Sequence, residues 1–265
     1  MRDRLIFAGQ LLFTLLVAAF LIVPAVLSML AGVTANYFRG ISSGFTLQWI
    51  VQVWDLYADT IGRSFLIAGA TLAVTLLVGI PAAYALHVRG GRMARAIEEI
   101  ITLPLAIPGL AIALALLLTY NGFSDFRRSW LFILAGHVVF TLPFMVRSVM
   151  AIFSAIDVKT LDESASSLGA SPLRRFLDVI VPNARPGILA GSLMVVTLSL
   201  GEFNLTWMLH TPLTKTLPVG LADSYASMRL EVASAYTLVF FVMIIPLLIA
   251  MQMFAAWGEA GRARK

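Results

Sequence analysis

The chain has 265 residues, of which 60% are hydrophobic and 12% charged, and its mean hydropathy is +0.91. These values exclude an ordinary soluble domain and predict that most of the chain lies in a lipid bilayer. Its uncharged runs of about 20 residues exclude an outer-membrane barrel, whose strands are short and alternating, and predict transmembrane helices. Because the sequence contains no cysteine, disulfides, thiolate metal sites and thiol nucleophiles are excluded. The net charge of +5 then indicates basic loops on the cytoplasmic side rather than nucleic-acid binding.

Six uncharged stretches predict six membrane-spanning helices, at about 6–30, 64–86, 100–120, 130–149, 186–209 and 232–257. An even number of spans places both termini on one side. Basic residues are about twice as frequent in the loops of that side, so both termini are predicted to be cytoplasmic. Arg127 and Arg128 lie on the opposite side, against this trend.

The first span follows a basic start and is expected to be retained as a membrane anchor. Its apolar run is longer than the roughly 7 to 15 residues of a signal-peptide core. A signal peptide cleaved after the small residues at 33–35 is the alternative. The next segment, 46–57, contains the aromatic residues Trp49, Trp54 and Tyr57, whose rings suit the level of the lipid headgroups. This segment is therefore predicted to lie along the membrane surface.

Prolines recur within the predicted spans and are expected to bend them, since each removes a backbone donor. They are Pro24, Pro81, Pro104, Pro108, Pro143 and Pro246. Bent helices can enclose a path for a solute. Proline is also common in transmembrane helices without such a role, and both interpretations stay open.

The one long cytoplasmic loop, 151–185, begins with signals for a short helix. Thr160 and Glu163 have the spacing of a capping box, in which each side chain accepts a hydrogen bond from the backbone amide of the other residue. This predicts a helix at 161–168 that ends at Gly169, because glycine readily takes the left-handed conformation of a helix C-terminus.

A second helix is predicted to follow at once. Ser171 suits the N-cap and Pro172 the first helical position. Apolar residues then recur at helical spacing until Pro182, which is expected to end the helix. The loop is therefore predicted to form a hairpin of two short helices.

This hairpin resembles the Glu-Ala-Ala loop of bacterial ABC-importer permeases. The matching residues are Glu163-Ser164-Ala165, Gly169, Ile180 and Pro182, with Ser164 at a position where that loop usually has alanine. Pro143-Phe144 and Gly201-Glu202-Phe203 are similar to further motifs of these permeases. The resemblance implies an all-α integral membrane protein of the type I ABC-importer permease fold, with six transmembrane helices and a cytoplasmic coupling-helix hairpin.

The resemblance also implies partners. A cytoplasmic ABC ATPase dimer would bind the hairpin. A second permease subunit, either a copy of this chain or preferably a different one, would complete the pore. An extracytoplasmic binding protein would deliver the solute. The chain has no G-x-x-x-x-G-K-[ST] phosphate loop, so ATP and Mg²⁺ are expected on the ATPase and no cofactor on this chain. The expected location is the bacterial inner membrane, and the favoured solutes are a polyamine or a 2-aminoethylphosphonate-like compound.

Residues of the hairpin are predicted to couple the chain to the ATPase. They are Thr160, Asp162, Glu163, Ser164, Ala165, Gly169, Leu173, Arg174, Phe176, Ile180 and Pro182. Four apolar side chains are expected to dock into a groove of the partner, namely Leu161, Ala165, Leu173 and Phe176. Glu163 and Arg174 would then fix the register by charge. Alternatively, the apolar side chains only pack the loop against the membrane face.

Glu202 is the one acidic residue inside a predicted span, and with Phe203 and Asn204 it is assigned to the translocation path or to a subunit interface. It either faces a watery path and meets a cationic solute or, as we prefer, plays a structural role at the interface. His137 is expected to be a neutral, hydrogen-bonded packing residue.

The chain is predicted to form a single transmembrane domain. Residues 1–63 comprise the first span and an external segment, 64–257 the core permease with its coupling loop at 151–185, and 258–265 a basic cytoplasmic tail. The main rival is an ion-coupled secondary transporter, which would need no ATPase. An intramembrane enzyme is disfavoured because the three histidines lie in different segments.

Overall fold

The computed structural model describes residues 2–260, and this part of the chain is helical, with no strand apart from one isolated bridge between Thr34 and Phe45. The first helices are α1 (Arg2–Ala31), α2 (Gln48–Arg89), α3 (Gly91–Thr102), α4 (Gly109–Thr119), α5 (Ser124–Arg128) and α6 (Trp130–Ala155). They are followed by α7 (Val158–Ser167), α8 (Pro172–Arg174), α9 (Val181–Gly201), α10 (Asn204–Leu209), α11 (Leu217–Ala226) and α12 (Leu230–Ala260). Residues 261–265 of the predicted basic tail lie outside the described residues.

Five of the described helical segments are long and apolar enough to cross a membrane. A sixth crossing exists only if the pair Gly91–Leu105 and Gly109–Thr119, bent by 107°, counts as one span. The third predicted span, 100–120, is thus sharply bent, as its two prolines predict. Pro104 lies in a 3₁₀ turn and Pro108 directly precedes α4, and neither can continue the α-helical hydrogen bonding.

The other prolines of the predicted spans lie inside continuous helices, at Pro24, Pro81, Pro143 and Pro246. Helix α2 has 42 residues and includes most of the segment at 46–57, which is thus not a separate surface-lying element. The Trp49 indole donates to the carbonyl of Thr34 at 3.0 Å.

Pro182 does not end a helix, contrary to the prediction. The chain runs from α8 through a π-helical stretch, Arg175–Ile180, directly into α9, which continues past Pro182 and Pro186. A π-helical stretch shifts the hydrogen-bond register by one residue, which accommodates a proline that has no N–H to donate. The second helix of the hairpin is therefore continuous with the fifth span.

The fifth span also ends earlier than predicted. Helix α9 stops at Gly201, Glu202 is extended with φ −70° and ψ 114°, and the chain resumes as the six-residue α10. The stretch at 186–209 is thus a broken helix rather than a continuous one.

The chain forms two compact units. One contains residues 2–59 together with Gly220–Ile245, and the other contains Thr60–Val219 and residues 246–260. In the first unit, the Arg229 guanidinium donates to the Tyr57 hydroxyl at 2.6 Å, and Glu231 accepts from the Tyr37 amide at 3.0 Å.

The second unit has two apolar clusters. One lies along α2, α6 and α9 and reaches the hairpin, with Met145, Val149, Phe153 and Ile180 completely buried. Helices α6 and α9 approach closely because Gly187 and Gly191 face α6; a Cβ atom added to Gly187 would lie 2.6 Å from the Ser148 carbonyl oxygen. The other cluster joins α4, α6 and α10.

Candidate functional site

The hairpin of the 151–185 loop is closed at Gly169, as predicted. Gly169 has φ +79°, its N–H donates to the Ser166 carbonyl at 2.9 Å, and the Ala170 N–H donates to the Ala165 carbonyl at 3.1 Å. These are the two hydrogen bonds of a Schellman motif, which satisfies the last carbonyls of α7. The next helix begins as predicted, with Ser171 at the N-cap and Pro172 at the first position.

The capping box at Thr160 is absent, so that prediction was wrong. The N-cap of α7 is Asp157, whose carboxylate accepts from the Thr160 amide at 3.1 Å and from the Thr160 hydroxyl at 2.6 Å. The hydrogen bond from the hydroxyl, followed by that from the amide, lowers the pKa of Asp157. Asp157 could have been recognised from its place three residues before Thr160, because aspartate is a preferred N-cap residue.

Asp162 ties the hairpin to the rest of its unit. Its carboxylate accepts from the Arg175 guanidinium and from the Tyr84 hydroxyl, each at 2.8 Å. The side chains of Asp162 and Arg175 are only 15% and 19% exposed, respectively. Sequence reasoning missed Arg175 and Tyr84, because their meeting with Asp162 depends on how α2, α7 and the π-helical stretch pack.

The apolar side chains of the hairpin divide into two groups. Leu161 and Phe176 pack against the buried cluster of α6 and α9, and Ala165 is buried. Leu168 and Leu173, which flank the turn, are 88% and 67% exposed. Of the four side chains expected to dock, only Leu173 is therefore free to do so, and Leu168 was missed although it directly precedes Gly169.

The remaining predicted hairpin residues differ in exposure. Glu163 is exposed and lies 3.9 Å from Lys159, in an ion pair of adjacent helical turns. Ser164 and Arg174 are exposed, whereas Ile180 is completely buried and Pro182 half-buried.

The break at Glu202 lies in the second unit, beside the start of α4. The Glu202 carboxylate accepts from the Leu205 N–H at 2.6 Å and so satisfies a donor at the start of α10. A Cβ added to Gly109 would lie 3.5 Å from the same carboxylate. The breaks in the third and fifth predicted spans therefore adjoin. The Phe203 ring lies 5.3 Å from that of Trp207, and Asn204 is exposed.

His137 links both sides of the Glu202 break. The imidazole is 1% exposed, with Nδ1 2.8 Å from the Ser199 hydroxyl on α9 and Nε2 2.8 Å from the Thr206 hydroxyl on α10. This agrees with the expected hydrogen-bonded packing residue. Among residues 2–260, no group of three or more His, Asp or Glu side chains forms a potential metal site.

The sequence of this chain matches a known family and individual known proteins. Residues 75–258 match the family model of the binding-protein-dependent transport system inner membrane component. A putative 2-aminoethylphosphonate transport system permease protein, PhnV, of Salmonella choleraesuis (strain SC-B67) is 26% identical, over 94% of this chain and 95% of its own length. The putrescine transport system permease protein PotI of Escherichia coli (strain K12) is 26% identical, over 79% of this chain and 77% of its own.

A solved structure of a bacterial alginate ABC transporter, in complex with an alginate pentasaccharide-bound periplasmic protein, shares the fold. It has a TM-score of 0.70 and 17% identity over 96% of this chain and 93% of that one. The fold is that of a type I ABC-importer permease, and the chain is a multi-pass membrane subunit of a transporter rather than an enzyme. The chain belongs to the family of binding-protein-dependent transport system inner membrane components and is a permease of an ABC importer.

Proposed function

We propose that this permease forms half of a pathway for a small solute and is driven by a separate ATPase dimer that grips the 151–185 hairpin. The observation that carries this proposal is the pair of exposed leucines, Leu168 and Leu173, on either side of a turn fixed by Gly169. Exposed leucines on a short helical hairpin suit docking into an apolar groove of a partner. Glu163 and Arg174, both exposed, are suited to fix the register of that contact.

The internal contacts of the hairpin support a coupling role. Asp162 bonds to Arg175 and Tyr84, and the chain passes without interruption from α8 into α9. A force applied at Leu168 or Leu173 would therefore reach the spans through bonded and packed elements instead of being absorbed by a flexible loop. The helices would then alternate between inward-open and outward-open states as ATP binds to the partner.

The proposed partners are the ATPase, which holds ATP and Mg²⁺, a second and preferably different permease subunit, and an extracytoplasmic binding protein. The periplasmic protein in the alginate transporter complex supports the last of these. We place the chain in the bacterial inner membrane with both termini cytoplasmic, in keeping with the distribution of its basic residues. The chain itself is proposed to bind no cofactor.

The segment from Glu202 to Asn204 is proposed to shape the translocation path. Broken helices line substrate sites in many transporters, because an irregular backbone is tolerated in a membrane only beside a cavity or within protein. The Glu202 carboxylate accepts a hydrogen bond from Leu205, which favours a structural role over contact with a cationic solute. PhnV and PotI are named for an aminophosphonate and a polyamine, the two solute classes favoured for this chain.

Co-purification tests the coupling assignment. The tagged chain, extracted in mild detergent from its native cell, is expected to bring down an ATPase and the second permease, both identified by mass spectrometry. Leu168→Asp combined with Leu173→Asp should abolish recovery of the ATPase while the chain still inserts. The matched control is Leu213→Asp, which changes an exposed leucine, 82% accessible, outside the hairpin. Equal recovery of the ATPase with all variants would contradict the assignment.

A further inference from the structure

Arg127 and Arg128 depart from the charge distribution of the chain, since they lie in a loop on the side that is poor in basic residues. They are the last residues of α5, which directly precedes α6. Helix α6 has 26 residues, or about 39 Å at 1.5 Å per residue, and leads to the hairpin. The two arginines therefore lie at the end of the second unit opposite the hairpin, where an importer receives its solute.

Both arginines line a cavity of about 300 Å³ in the second unit. Its polar walls are formed by Ser124, Arg127, Arg128, His210 and Thr211. This volume is at the lower end of the range of roughly 300 to 1,000 Å³ for ligand sites. The cavity can therefore hold a small anion together with water.

Arg127 is held in place by a hydrogen bond and keeps one unused donor. Its Nη1 donates to the Asn121 side-chain oxygen at 2.8 Å, which fixes the guanidinium. Its buried Nε has no hydrogen-bond partner within the described part of the chain. Because Asn121 fixes this guanidinium and Arg127 lines the cavity, its charge and planar geometry suit the oxygens of a phosphate-like group.

The charge of the two arginines is not neutralised by a direct ion pair. Within the described part of the chain, neither arginine has a carboxylate oxygen within 4.0 Å, whereas Arg175 is paired with Asp162. Asp125 is on the same helix as the arginines but does not line the cavity. The cavity therefore keeps a positive potential that attracts anions and repels polyamines.

His210 completes the polar wall with a fixed orientation. Its Nδ1–H donates to the Trp207 carbonyl at 2.8 Å, and its ring lies 5.5 Å from the Trp207 ring. Because a carbonyl only accepts, Nδ1 carries a proton and Nε2 is left for a ligand or water. The Trp207 ring is consequently a local reporter for anything that binds at His210.

We propose that this cavity is a binding site for an oxyanion group of the solute, such as a phosphonate or a phosphate, at the external end of the pathway. The proposal rests on the importer function proposed above and selects an anionic over a cationic solute. We assign the oxyanion to the solute rather than to a lipid headgroup, because the cavity walls are mostly polar and offer little surface for acyl chains.

Tryptophan fluorescence of the purified complex, without ATP, tests the site directly. Titration with 2-aminoethylphosphonate and with inorganic phosphate is expected to give saturable changes, and titration with putrescine none. The signal should disappear in Trp207→Phe if it arises at His210. Saturation by putrescine, or no saturation by either oxyanion, would overturn the proposal.

Charge-removing variants identify the residues. Arg127→Gln and Arg128→Gln are each expected to weaken oxyanion binding at least tenfold. Arg128 is exposed, so its replacement should not disturb folding even if that of Arg127 does. The matched control, Arg39→Gln, removes the charge of another exposed arginine on the same predicted side and should bind as the unaltered chain does. Unchanged affinity in the Arg128 variant would rule the site out.

Two further comparisons separate the possible failures. Measuring oxyanion binding in nanodiscs of phosphatidylcholine, with and without phosphatidylglycerol, distinguishes a solute from a lipid headgroup as the ligand. If phosphatidylglycerol occupied the site and the soluble oxyanions did not bind, the assignment to solute would be overturned. ATP-driven uptake into proteoliposomes tests the importer separately. If the chain imported putrescine and the Arg128 variant did so equally well, the importer function would be retained and the oxyanion site refuted.

Discussion

Single side chains of this permease act mainly by satisfying backbone groups at helix ends. Asp157 caps α7, and the Glu202 carboxylate accepts the Leu205 N–H at the start of α10. Gly169 supplies the left-handed residue that ends α7. In a membrane protein this matters most at Glu202, because unsatisfied backbone groups inside the bilayer cost several kcal/mol each.

Substitution of Glu202 separates its structural role from a solute-binding role. In Glu202→Gln the amide oxygen can still accept from the Leu205 N–H, so uptake is expected to stay near the original rate. In Glu202→Ala the acceptor is lost, and a loss of about 1 kcal/mol in stability, as for other caps, should accompany slower uptake. Thermal unfolding in detergent and uptake in proteoliposomes measure the two effects. A large loss of solute affinity in Glu202→Gln would instead assign the carboxylate to solute binding.

At the scale of helices, the chain has breaks and register shifts inside long apolar runs. The π-helical stretch Arg175–Ile180 carries the hairpin into α9 past Pro182. The breaks before α4 and before α10 adjoin, as the proximity of Gly109 to Glu202 shows. His137 bridges α9 and α10 through its two ring nitrogens and so holds the second break in a defined geometry.

The turn of the hairpin gives a prediction about coupling. Gly169 has φ +79° and open space around it, so a substitution acts through backbone strain rather than collision. Gly169→Val is expected to cost about 1 to 2 kcal/mol, the penalty of a left-handed conformation, and to uncouple ATP hydrolysis from uptake with insertion intact. Gly169→Asn is the matched control and should retain most coupling, because asparagine tolerates this conformation. Unimpaired ATP-driven uptake in the valine variant would contradict the coupling role.

For the whole molecule, stability is expected to rest on close helix packing within each unit and on lipid or partner subunits outside. Exposed apolar side chains cover much of α1, whose most apolar window has no buried residue. Inside the second unit, Gly187 and Gly191 let α9 approach α6. Small residues at this spacing are typical of packed membrane helices, where van der Waals contact rather than burial from water holds helices together.

A matched pair of alanine substitutions tests this packing. A Cβ at Gly187 would lie 2.6 Å from the Ser148 carbonyl oxygen, whereas one at Gly62 on α2 has nothing within 4 Å. Gly187→Ala should therefore destabilise the chain by about 1 to 3 kcal/mol through overpacking. Gly62→Ala should be neutral or stabilising because alanine favours a helix. Thermal unfolding of both variants in the same detergent decides the matter, and equal midpoints would refute the close-packing explanation.

The sequence by itself determined the membrane class, the approximate number of spans and the helical hairpin around Gly169. Each of these depends on local properties: long apolar runs and the distinct backbone preferences of glycine, serine and proline. The Ser171 cap and the left-handed Gly169 could be predicted for the same reason, and the loop motif led to the family.

Only the tertiary structure decided which side chains of the hairpin face outward, how the spans break and which distant residues meet. Leu161 and Leu168 lie in one short segment, yet Leu161 packs against the core and Leu168 is 88% exposed. Arg175 meets Asp162, His137 meets Thr206, and Arg127 shares a cavity with His210. These pairs join separate helices, and their formation depends on how the helices pack, which no local pattern in the sequence encodes.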